Sequence, residues 1–99
     1  MGATKTHQFT STEINSAAIA KALAHPARIR IIRLLKESSF IRNTDLIPIL
    51  NLSKTSVHAH LLCMIKANII EQHFFQNAYL LELKEDTLIS FSKNLEALQ

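Results

Sequence analysis

A single glycine and two prolines in 99 residues leave almost no positions that adopt a positive φ without cost. Chains built from many tight turns, such as β-sandwiches, and glycine-rich phosphate-binding loops both need such positions at intervals. Helices therefore dominate the expected fold. Apolar residues make up 47% of the chain and charged residues 19%, enough to build a core and too apolar for intrinsic disorder. The length suits one domain, and burying enough surface in so short a chain favours self-association. One cysteine supports neither an internal disulfide nor a cysteine-rich zinc site, and no apolar run approaches the roughly 20 residues of a membrane span. The expectation is a cytoplasmic protein with no membrane contact and no cofactor.

Charge is uneven along the chain. Residues 1–66 hold nine of the eleven Lys and Arg against three acids, a balance of +6, while residues 67–99 balance at −3. A basic first two thirds is compatible with a face turned toward phosphate, as it is with a solvated helix surface.

Residues 1–10 are polar and aperiodic and read as a flexible arm, with a single domain over residues 11–99. From a cap at Ser11 or Thr12, a first helix runs to about Leu23 with Ile14, Ala18 and Ala22 at helical spacing. Pro26 restarts the chain after His25. In the second helix Ile29, Ile32 and Leu35 are expected inside, with Ile31 and Leu34 beside them, and Arg28, Arg33 and Lys36 outside. Residues 38–43 read as a connector. Pro48 is tolerated only in the first turn of a short third helix, which places its cap near Asp45.

Asn51 is suited to the left-handed turn that ends this helix, and Ser53 to the cap of a fourth with Val57, Leu61 and Met64 on one face. Two β-prone runs flanking Gln76 and Asn77 predict a hairpin; Leu62 and Ile65 are expected to cover core beneath it, the alternatives being contact with thymine methyls or a protein-binding patch. A cap at Asp86 or Thr87 then opens a last helix with Leu88, Phe91, Leu95 and Leu98 in a stripe.

This order, α-α-α-α-β-β-α, is that of a mainly helical winged helix-turn-helix with a small β-hairpin. The LAHPARIRIIRLL and LSKTSVHAHL segments, followed by the hairpin, resemble the ArsR family of bacterial winged-helix transcription regulators. The resemblance covers about residues 14–98. It implies a homodimer built on the first and last helices, operator DNA as partner, and release by an effector, often a metal ion. A dimer seam would use Ile14, Ala18, Ala22, Leu88, Phe91, Leu95 and Leu98; the same residues could instead pack on the chain's own core.

The metal part of the pattern fails. The positions of the family's Cys-X-Cys box align with Arg42 and Thr44, and residues 85–99 contain no His for the site on the last helix. His58 and His60, two apart on a helix, point about 200° apart and do not chelate together. No metal is expected, and the effector is unknown.

The expected DNA contacts are Lys54, Thr55, Ser56, His58 and Ala59 at the start of the fourth helix, Arg28 and Arg42 nearby, and Gln76 and Asn77 at the hairpin tip. Ala59, Leu62 and Ile65 stand where the family commonly has cations or polar residues, which lowers the expected phosphate affinity. Cys63 is expected to be a packing thiol. Nothing converges as a nucleophile, base and oxyanion set, so no catalytic residue and no enzyme is expected. The alternative function is a winged-helix interaction or dimerisation module with weak or no DNA binding.

Overall fold

A computed structural model describes residues 8–98. The expected arm falls mostly on residues 1–7, which lie outside the described residues. The elements are α1 (Ser11–Ala22), α2 (Pro26–Glu37), β1 (Ile41–Arg42), α3 (Leu46–Leu50), α4 (Lys54–Lys66), β2 (Ile70–Phe75), β3 (Ala78–Leu83) and α5 (Glu85–Glu96). They form the winged helix-turn-helix, with a three-stranded antiparallel sheet in place of the expected two-stranded hairpin. Among the described residues no helix is long and apolar enough to cross a membrane.

Side-chain chemistry sets most helix boundaries. Thr10, not Ser11 or Thr12, caps α1: its hydroxyl accepts from the Glu13 N–H at 3.0 Å, while the Glu13 carboxylate accepts from the Thr10 N–H at 2.9 Å. Pro26 opens α2 after His25, whose Nδ1 accepts from the Ala27 N–H at 3.0 Å. Pro48 sits in the first turn of α3, and Asn51, at φ 54°, ends that helix in the left-handed region. Asn68 does the same after α4 at φ 60°. The cap position of the last helix is Lys84, two residues before Asp86 and three before Thr87, the expected caps, and it leaves Glu85 and Asp86 in the first turn, where their charge suits the positive end of the helix.

The connector expected at residues 38–43 contains β1, which pairs on β3 with Ile41 opposite Leu81 and Arg42 opposite Leu80. A two-residue strand has no periodicity of its own to read; its partner 40 residues away defines it. The strand order is β1-β3-β2, so β3 is central. Its inward Leu81 joins Ile69 and Ile70 against Ile31, Leu35, Leu46, Val57, Leu61 and Met64 in one buried cluster. Ile29, expected inside, lies on the exposed side of α2, because Ile31 and Leu35 fill the inward positions.

Candidate nucleic-acid interface

The fourth helix is fixed from behind and open in front. Val57, Leu61 and Met64 are buried, which anchors the rod along one face. Its first turn is closed by Ser53, whose Oγ accepts from the Ser56 N–H at 3.1 Å. The Ser53 hydroxyl in turn donates to Ser56 Oγ at 3.1 Å, so Ser56 belongs to the cap and is half-buried. Lys54, Thr55, His58 and Ala59 are exposed. The free N–H groups of a helix start attract an anion, and Lys54 adds a full charge there.

Two residues beside this start are not among the contacts that the sequence predicts. Asn43 and Thr44 lie in a 3-10 turn between β1 and α3, and with Ile47 they border a shallow hollow shared with Lys54, Val57, His58 and Leu61. Their local signal was only two small polar residues before an acid. Fold topology places them beside the α4 start.

Arg42 projects into solvent and carries Asp45 as its partner, with Nη2 3.1 Å from Oδ1. An exposed pair of this kind contributes about 0–1 kcal/mol, so it leaves the guanidinium available to a phosphate. Gln76 and Asn77 form the exposed two-residue turn of the hairpin at φ 51° and 61°, the left-handed pair of a type I′ turn.

Arg28 corrects the sequence reading. Its side chain turns inward, where Nε–H donates to His60 Nδ1 at 3.0 Å and Nη1 donates to Cys63 Sγ at 3.0 Å. Nη1 also donates to the carbonyls of Lys21 and Ala22 at 3.4 Å each, in the last turn of α1, where the Lys21 carbonyl also accepts from the Ala24 N–H. His60 is therefore an acceptor at Nδ1 and carries its proton at Nε2. The His25 ring lies against it, with centroids 4.4 Å apart. Burial, and then the neighbouring His25 and Arg28, push the His60 pKa below its ordinary 6.5. Arg28, His60 and Cys63 thus tie α1, α2 and α4 together and hold the rear of the interface.

Ile65 packs against the core as expected, whereas Leu62 is 42% exposed and does not cover it. The expected dimer seam divides in the same way. Ala22 is 1% exposed within a single chain, so it belongs to the core and not to a seam. Leu88 also packs against that core, and Phe91 is half-buried. Ile14, Leu95 and Leu98 remain exposed, joined by Phe9 and Ile89, which the stripe did not include. These belong to α1, α5 and the residues flanking them, and α1 and α5 lie in contact.

The residues at the family's two metal positions do not fit a metal. Arg42 is a cation held by Asp45, Thr44 is a neutral alcohol, and α5 offers carboxylates without an imidazole among its described residues.

Comparison with known proteins agrees with this geometry. The family model for bacterial regulatory proteins of the arsR family matches residues 25–72, from the cap of α2 into β2. An ArsR-like transcriptional regulator from Rhodococcus sp. RHA1 superposes with a TM-score of 0.81 at 18% identity, over 90% of this chain and 83% of that one. HlyU from Vibrio cholerae gives 0.70 at 16% identity, over 92% and 100% of the two chains. The transcriptional repressor PagR of Bacillus anthracis gives 0.66 at 22%, over 80% and 92%. At these identities the likeness is one of fold. No curated protein matches the sequence.

Proposed function

We propose that the chain is a member of the arsR family of bacterial regulatory proteins, whose model matches its residues 25–72, and that it is a homodimeric repressor that reads duplex DNA with the exposed start of α4. The family makes it a DNA-binding transcriptional regulator. The observation that carries the finer reading is the open face of α4: Lys54, Thr55 and His58 are uncovered, while the opposite face is locked into the core.

In this reading the α4 N-terminus enters the major groove, with Lys54 on phosphate and Thr55 and His58 within reach of base edges. Ala59 offers a methyl surface suited to a thymine methyl. Arg42 exchanges Asp45 for phosphate, and Gln76 and Asn77 carry the hairpin tip along the backbone. Pairing through the exposed apolar residues of α1 and α5 gives the two-fold symmetry that matches a palindromic operator. Repression is steric, by occupancy of the duplex.

A second reading has an observation of its own. Phe40, Phe74, Phe75 and Tyr79 on and beside the wing are exposed, Phe74 by 65%, where a DNA-binding wing would profit from cations. That surface favours a winged-helix interaction module with weak or no DNA binding. The test is an anisotropy titration against the promoter region of the chain's own gene and against an unrelated duplex, at two salt concentrations. Lys54 and Arg42 from two chains give a slope of log affinity against log salt of roughly −3.6, or about a hundredfold loss between 50 and 200 mM. Sequence-selective binding with such a slope supports the regulator that reads through α4. Equal, weak binding to both duplexes supports the module. Sedimentation of the free chain tests the dimer, with a monomer at working concentration excluding it.

A further inference from the structure

The wing sheet brings three metal-binding side chains together on its solvent side. Glu71 on β2 lies directly opposite Glu82 on β3. His73, two residues along β2, points to the same face because strand side chains alternate. His73 Nε2 is 3.0 Å from Glu82 Oε1 and 3.9 Å from Glu71 Oε1. All three donor atoms fall within 4.8 Å of one another. We propose that Glu71, His73 and Glu82 form a binding site for a divalent transition-metal ion, zinc being the best match, with the remaining coordination position open to water.

Electrostatics supplies the first argument. Like charges directly opposite on neighbouring strands destabilise a sheet, and this register sets two carboxylates face to face. Lys84 relieves only one side, its Nζ lying 3.6 Å from Glu71 Oε1. Glu82 has the His73 imidazole as its partner, with Nε2 3.0 Å from Oε1. A divalent ion between the three donors neutralises both carboxylates at once.

Geometry and donor chemistry supply the second. Ligand atoms around a tetrahedral zinc ion, at bond lengths of about 2.0–2.2 Å, lie roughly 3.4 Å apart, a value the two His73 distances bracket. One imidazole with two carboxylates suits zinc and its first-row neighbours, whereas calcium and magnesium prefer oxygen alone. The Phe40 ring stands edge-on to His73, with centroids 6.3 Å apart at 71°, which orients the imidazole and shields one side of it. The donors sit on paired strands, so the site is held by a backbone ladder and not by a loop.

The site stands on the wing alone and is independent of DNA reading, so it is tested on binding of the ion itself. Zinc sulfate is titrated calorimetrically into the full chain, and cobalt(II) binding is followed by visible absorption. The expected result is saturable binding of one ion per chain, weakened at least about tenfold by His73→Gln and by Glu82→Gln. His60→Gln and Cys63→Ser, which alter the donors on α4, leave it unchanged. All four positions are checked for native circular dichroism, and the near-isosteric Glu82→Gln on the exposed sheet face tests the site even where another variant unfolds. Absence of saturable binding overturns the site, as does binding that persists in the folded His73→Gln and Glu82→Gln variants or that is lost with Cys63 or His60.

Discussion

The helix-turn-helix half and the wing half use their exposed surfaces in opposite ways. From α2 to α4 the buried side is apolar, and the open side carries Lys54, Thr55, His58, Asn43, Thr44 and Arg42. From β2 onward the open side carries Glu71, Glu82, Glu85 and Asp86 with exposed aromatics. The +6 balance of residues 1–66 and −3 of residues 67–99 is the same contrast in charge. Attraction for a polyanion is therefore concentrated in one half, while the wing repels phosphate except at its neutral tip. The fold can remain a winged helix while its two halves address different partners.

Substitutions can break or sharpen that contrast. The largest effect is expected at the joint between the halves. Leu81 on the central strand is fully buried against the helical core, and Leu81→Ala is expected to cost about 2–5 kcal/mol of folding stability, measured by urea denaturation. A cost below about 1 kcal/mol would show a wing that folds apart from the helices.

Next comes a pair of charge reversals read by DNA affinity. Lys54→Glu turns attraction into repulsion at the helix start and is expected to weaken binding by about tenfold or more at low salt. Lys84→Glu, on the wing side, is expected to change affinity much less. Equal losses would erase the distinction between the halves.

A smaller, stabilising effect is expected at the hairpin. Gln76 occupies the left-handed region at φ 51° in a type I′ turn, a conformation that glycine and asparagine adopt more readily. Gln76→Gly should raise stability by up to about 1 kcal/mol, since the roughly 1–2 kcal/mol cost of a left-handed non-glycine residue exceeds the about 0.5–1 kcal/mol of freedom that glycine adds to the unfolded chain. A loss of stability would argue for a different turn.

The subtlest prediction concerns pH. With the His60 pKa lowered in the folded chain, the unfolded chain takes up the proton more readily. The neutral His60 thus contributes stability that is present above about pH 6.5 and is lost as pH falls through the lowered folded pKa. His60→Gln should flatten this acid-side loss in denaturation curves between about pH 7.5 and 5. An unchanged pH profile would remove His60 from the balance.

Local chemistry made much of the helical half legible. Pro26, Pro48, Asn51 and Ser53 each restrict the backbone on their own, and the spacing of Val57, Leu61 and Met64 predicts the buried side of α4 without knowledge of a neighbour. Thr10 was missed because three hydroxyl residues in a row compete for one cap; Glu13 selects the residue three before it. Periodicity also failed on α5. Its stripe groups Leu88 with Leu98, yet the first packs on the core and the second is 75% exposed, because the core beneath the helix does not extend to its end. Arg28 reads as a surface cation in one dimension and becomes a tie between three helices only where His60 and Cys63 meet it.

The sequence by itself determined where helices start and stop to within a residue or two, where the hairpin turns, and the buried side of α4, since those arise from backbone restrictions and spacing within a few residues. Tertiary structure alone decided that residues 41–42 become a strand, that Arg28 is drawn inward, that Asn43 and Thr44 border the α4 start, and that Glu71, His73 and Glu82 converge. Each of these depends on a partner from another segment, and which segment arrives is settled by packing around the shared core.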